Sequence, residues 1–183
     1  MHIKCSEWVN ADKNTPLNEW IEAESGEKTP NGKVKSKLGE LAYRPAWHLS
    51  DYPIATHIGK KDKNGVIVAQ KKDTVWALCE YSDNVNYQEE ANANSISAKG
   101  KFDARKTCLS YIPKDGYYRY KTNPNMMGDW ILAGAIKVIR VLTDEEADTI
   151  LAENNIKSMS RDGGRIKFND YGFYYWFLNK NIV

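Results

Sequence analysis

Two of the chain's three histidines, His48 and His57, fall in Tyr43–Lys61 (YRPAWHLSDYPIATHIGKK), a stretch that also holds Arg44 and ends on Lys60 and Lys61, with Lys63 just beyond. Imidazoles titrate near neutrality, so such a pair can share the base and acid steps of a metal-independent phosphodiester cleavage. Arg119 and Lys121, which share one side of GYYRYK (116–121) if that run is extended, would then neutralise charge developing on a phosphate. The same cations, with Asn123 beside them, would equally well grip a nucleic-acid backbone without turning anything over. A third arrangement is an NAD-using ADP-ribosyltransferase-like fold, whose layout Tyr43–His48 and Ile54–Gly59 share. Its late strand would be Ala133-Gly134-Ala135, which carries no glutamate for that chemistry. Two histidines bind a metal only with further ligands, and no Cys/His/Asp cluster at useful spacing supplies them, so no metal site is expected. There is also no GxGxxG, P-loop, HExxH or GxSxG, and no cofactor is expected. The residues favour binding over catalysis.

The elements that must position these groups are mostly strands. At 183 residues, 42% hydrophobic and 27% charged, the chain fits one domain over 1–183 with a real core, and 157–183 as an extension that closes it. No apolar run reaches the roughly 18 residues of a membrane span, and MHIKCSEWVNADKN lacks the apolar centre of a signal peptide, so a cytoplasmic protein with no membrane partner is expected. Cys5, Cys79 and Cys108 are odd in number and far apart, which argues against a disulfide scaffold.

A net charge of +2 conceals strong segregation. Residues 28–72 carry ten Lys/Arg against three acids, a net of +7, whereas 1–27 and 141–156 are acidic. Such polarity steers charged partners even when the total is near neutral.

Local patterns give the element order. Residues 2–9 alternate as a strand. Thr15-Pro16 with Leu17, Trp20 and Ile21 predicts a short helix over 16–24, with an extended segment as the alternative. Thr29-Pro30-Asn31-Gly32 is a turn, followed by the alternating Lys33–Leu38, and Lys63-Asn64-Gly65 is a turn before Val66–Gln70. Thr74–Tyr81 reads as a core strand, Tyr87–Ala91 as a short helix, and 93–107 as an exposed connection. Cys108–Lys121 reads as a hairpin about Pro113–Gly116, with Tyr118 and Tyr120 on one face of its second arm and Tyr117, Arg119 and Lys121 on the other. Trp130–Leu142 reads as one long strand, bent or bulged at Gly134. Thr143 with Glu146 forms a capping box for a helix over 144–153. Asp162-Gly163-Gly164 marks a turn, and Tyr171–Leu178 is too apolar for water and should close the core as a strand. Together these predict an α+β fold: a mostly antiparallel, twisted sheet with a few short helices packed on it.

Several collinear blocks, KVKSKLGELAYRPAWHLSDYPIATHIG (33–59), VWALCEY (75–81), YQEEAN (87–92) and GYYRYKTNPNMMGDWILAGAIKVIRVLTDEEA (116–147), resemble a domain family of phage and mobile-element polyvalent proteins. The likeness spans about residues 7–147. It implies an anti-defence role, and for a free-standing member of this length an anti-CRISPR that inhibits type II Cas9 by stoichiometric binding. The implied partner is Cas9 or its guide-RNA complex, with contacts to DNA or RNA backbone, in the bacterial cytoplasm. Arg44, His48, His57, Lys60, Lys61, Lys63, Arg119, Lys121 and Asn123 are the candidate binding residues, expected on one face.

Overall fold

The computed structural model describes residues 16–24, 28–36, 39–55, 60–64, 67–70, 74–158, 160–161 and 174–179. In chain order the strands are β1 (Trp20–Glu22), β2 (Lys33–Ser36), β3 (Gly39–Ala42), β4 (Trp47–Ser50), β5 (Lys60–Lys61), β6 (Ile67–Gln70), β7 (Thr74–Tyr81) and β8 (Val85–Asn86). Helix α1 (Gln88–Ala93) and a 3-10 turn at Ala104–Lys106 precede β9 (Gly116–Tyr120), β10 (Trp130–Ala133) and β11 (Ala135–Val141). Helix α2 (Asp144–Glu153), β12 (Ser160–Arg161) and β13 (Tyr174–Asn179) follow. This is a sheet-dominated α+β fold, as the alternation in the sequence implies.

Eight strands form one sheet in the order β1-β11-β7-β13-β4-β10-β9-β8, while β12-β6-β5 and β2-β3 form two small sheets. Most pairs are antiparallel, but β13 lies parallel to both β4 and β7. β10 and β11 are separated in the chain only by Gly134, yet three strands stand between them in the sheet. For one residue to link strands that lie four places apart in the order, the sheet must curl strongly at that end. Gly134 is the corner. A Cβ there would collide with the Pro113 carbonyl oxygen and lie 2.6 Å from the Pro113 carbonyl carbon. Its amide donates to Gly116 at 2.9 Å, and its carbonyl accepts from Ala23 at 2.7 Å. The expected single long strand is thus two strands with different neighbours, and the bulge lies further on, between Val138 and Arg140.

Burial follows the alternation. Trp47 and Leu49 of β4, Val75, Ala77 and Cys79 of β7, Ile131 and Ala133 of β10 and Ile136 and Val138 of β11 form one cluster. On the opposite face Trp76, Tyr118, Tyr120, Trp130 and Leu132 pack beneath Ala91 of α1 and Ala147 and Ile150 of α2. Each large side chain fully removed from water contributes about 1.5–3 kcal/mol. The capping box on α2 forms as its sequence specifies: Glu146 N–H donates to Thr143 Oγ1 at 3.1 Å, and Thr143 N–H to Glu146 Oε2 at 2.8 Å.

Two other expectations are corrected. The predicted helix over 16–24 is not formed. Asn18 has φ 61, outside helical geometry, and Trp20–Glu22 pair antiparallel with β11, so sheet hydrogen bonds outcompete the local spacing. The hairpin is also displaced, since Cys108–Ile112 is irregular and β9 pairs instead with β10 across the Asn123-Pro124 turn. The expected strand at 2–9 and the turn at 162–164 lie outside the described residues.

Candidate functional site

Cross-strand register sorts the candidate side chains. Tyr120, Trp130 and Ser50 stand in one row, and Tyr118, Leu132 and His48 in the next on the same face. Arg119, Ile131 and Leu49 form the row between them, on the opposite face. The candidates on β4 and β9 therefore split.

On the first face Arg44 lies over the Tyr120 ring, 4.5 Å from its centroid. Its Nε donates to the Thr107 carbonyl at 3.2 Å, and an Nη to the Arg105 carbonyl. His48 meets Tyr120 edge-on, with centroids 6.4 Å apart, and its Nε2 is 3.1 Å from the Arg44 carbonyl oxygen. A carbonyl only accepts, so Nε2 carries the proton and is committed to that bond. Arg44, Tyr120 and His48 form a half-buried stack that ties the segment before β4 to the turn at 104–107. The Arg44 guanidinium meets a ring and two carbonyls there, and no carboxylate is among its partners in this stack.

On the opposite face Arg119 donates to both Asp51 oxygens, at 3.0 and 3.1 Å, and lies 3.5 Å from Asp129. Lys121 is 3.5 Å from Asp129 and donates to the Met126 carbonyl at 3.2 Å. The Asp129 amide closes the network on Asp51 Oδ2 at 2.7 Å. Burial alone would lower the Arg119 pKa, but the Asp51 charge and the Tyr81 hydroxyl more than offset this and hold it above its ordinary value. Burial raises the Tyr81 pKa, with Arg119 pulling the other way. Two cations and two carboxylates thus compensate one another inside the molecule.

The single docking face expected of Arg44, His48, Arg119 and Lys121 is not assembled, because neighbouring residues of a strand point to opposite sides. Asn123 is exposed in the turn after β9, where its side chain accepts from the Asn125 amide at 2.9 Å. Lys63 is exposed at the turn between β5 and β6, and the backbone of Lys60 and Lys61 forms β5. His57 lies outside the described residues. Asp51 and Asp129 were not among the sequence candidates. Their partners are 68 and about ten residues away, and no local spacing announces the longer of those contacts.

Tyr81 borders both the Arg119 network and an open cleft of about 690 Å³ between β1, β7 and the Pro113–Gly116 turn, lined also by Trp20, Glu22, Glu80, Asp83, Lys114 and Asp115. It is acidic and contains none of the sequence candidates. Among the described residues no group of three or more His, Cys, Asp or Glu is placed to hold a metal ion. No helix among them is long and apolar enough to cross a membrane. Compared with family models, curated proteins and solved structures, the chain matches none significantly.

Proposed function

We propose that the chain is a phage or mobile-element anti-defence protein that inhibits a Cas9-type nuclease by stoichiometric binding to the enzyme, its guide-RNA complex or its nucleic acid, in the cytoplasm of the bacterial host. The observation that carries this reading is where the basic block resides. Among the described strands of the +7 segment 28–72, only β4 enters the eight-stranded sheet, and the others make up the β2-β3 ribbon and most of the β12-β6-β5 sheet. Charge carried on outlying ribbons lies apart from the eight-stranded sheet, with Lys33 and Lys63 exposed to solvent, which supports contact with phosphates. The acidic cleft offers the opposite sign to a basic protein surface. A ribonucleoprotein presents both kinds of surface. Arg44 and His48 act in this reading as the rigid mount of the basic segment, while Arg119 and Lys121 hold the sheet.

The test is co-elution with Cas9 on a sizing column, with and without guide RNA, at two salt concentrations, alongside DNA cleavage titrated with the chain. An equimolar complex that weakens with salt and a cleavage endpoint near one chain per Cas9 are expected. Inhibition at far below equimolar amounts, or degradation of bare nucleic acid in EDTA that is lost in His48→Ala, would replace binding by turnover.

A further inference from the structure

The segment 95–106, read from sequence as a plain exposed connection, is a tight and firmly mounted hairpin. Ile96 and Phe102 form an antiparallel bridge. The turn between them closes with Ser97 N–H donating to Lys101 O at 2.9 Å, Lys101 N–H to Ser97 Oγ at 3.1 Å and Gly100 N–H to Ser97 O at 2.8 Å. Gly100 has φ 73, the left-handed geometry the turn needs. The base is fixed from several sides. Ser95 and Thr107 are buried, Ser95 Oγ donates to Asn92 O at 2.6 Å, and Asn94 Nδ2 donates to Cys108 O at 2.9 Å. Arg44 grips the carbonyls of Arg105 and Thr107.

What this mount presents is apolar and positive. Ile96 is 52% and Phe102 50% exposed, side by side across the bridge. Lys99, Lys101 and Lys106 make no ion pair among the described residues. The acid within the segment, Asp103, is taken by Arg105 through bonds of 2.9 and 3.0 Å, which lower its carboxyl pKa to about 2. An exposed aromatic ring on a firmly held hairpin that also carries lysines outside any ion pair among the described residues is an arrangement that suits single-stranded nucleic acid, where a base stacks on the ring and cations follow the backbone. An acyl-chain environment fits less well. The tip is Ser97-Ala98-Lys99-Gly100, and insertion tip-first would drag Lys99 into hydrocarbon.

We propose that this hairpin is a docking site for single-stranded nucleic acid, with a base stacked on Phe102 against Ile96 and phosphates held by Lys99, Lys101 and Lys106. The proposal stands on the hairpin alone and does not require Cas9 as the target. Fluorescence polarisation of the full chain with labelled single-stranded DNA and RNA of mixed sequence, at about 50 and about 200 mM salt, tests it. Three phosphate contacts predict a log–log salt slope of about −2, which the triple variant Lys99→Ala/Lys101→Ala/Lys106→Ala should flatten towards zero. Phe102→Ala should weaken binding about tenfold with unchanged circular dichroism, and Phe102→Trp should restore it. Binding indifferent to Phe102→Ala, or a slope that survives the triple variant, overturns the proposal. So does capture by anionic vesicles, or by an acidic polypeptide, with no oligonucleotide binding. Oligonucleotide binding that persists where Cas9 co-elution fails removes the target and leaves the hairpin site standing.

Discussion

Arg44 and Arg119 sit on opposite faces of the same part of the sheet and are held in opposite ways. Arg119 is enclosed by carboxylates, so its charge is cancelled and the group works as a cross-link between β9 and the ends of β4 and β10. Arg44 is held by the Tyr120 ring and two peptide carbonyls, so its geometry is fixed while its positive charge is not neutralised by an acid in that stack. A cation becomes structural or interactive according to what holds it, and residue type and local spacing do not reveal which.

Substitutions can break that contrast, beginning with the largest effect. Asp51→Ala should destabilise the fold by about 3 kcal/mol in urea denaturation, since it removes both short bonds to the Arg119 guanidinium, leaving it only the longer Asp129 contact and the Tyr81 hydroxyl, and strips the Asp129 amide of its acceptor. If it costs less than Arg44→Ala, the contrast fails. Arg44→Ala should cost about 2 kcal/mol, from the ring contact and the two carbonyls, and Arg44→Lys should recover little, because a lysine cannot span both carbonyls while stacked. Alkali should act on both faces through tyrosines. Burial raises the pKa of Tyr118 on the Arg44 face and of Tyr81 on the Arg119 face above the ordinary 10.0. The folded state keeps protons that the unfolded chain gives up, so stability is complete below that value and falls as pH rises past it. For Tyr118 the slope is about 1.4 kcal/mol per pH unit, and Tyr118→Phe should flatten the decline measured by thermal unfolding. Thr143→Ala, whose hydrogen bonds are all to Glu146 and Ala147 and to neither arginine, should cost about 1 kcal/mol through the lost cap and add to either arginine variant without coupling.

What could be read from the sequence was whatever nearest neighbours decide. Thr143 and Glu146 specify their own cap, Pro30-Asn31-Gly32 its own turn, and alternation along Gly116–Tyr120 the two faces of β9. The misreadings arose where a distant partner decides. Leu17, Trp20 and Ile21 have helical spacing, but β11 offers Trp20–Glu22 a sheet edge. Arg119 and Lys121 resemble a phosphate grip until Asp51 and Asp129 arrive from elsewhere in the chain. The break at Gly134 was visible as a glycine, yet nothing local says that the Pro113 carbonyl fills the space a side chain would need. The Ile96–Phe102 pair, flanking a Ser-Ala-Lys-Gly turn, was a legible hairpin signal that the surrounding polarity hid.

The insertion of β13 between β4 and β7 has a consequence during biosynthesis. The ribosome produces its two neighbours about a hundred residues before it, which at about 5–20 residues per second leaves their facing edges open for about 5–20 seconds. Placing β13 between them is a non-local pairing, of the kind that forms slowly.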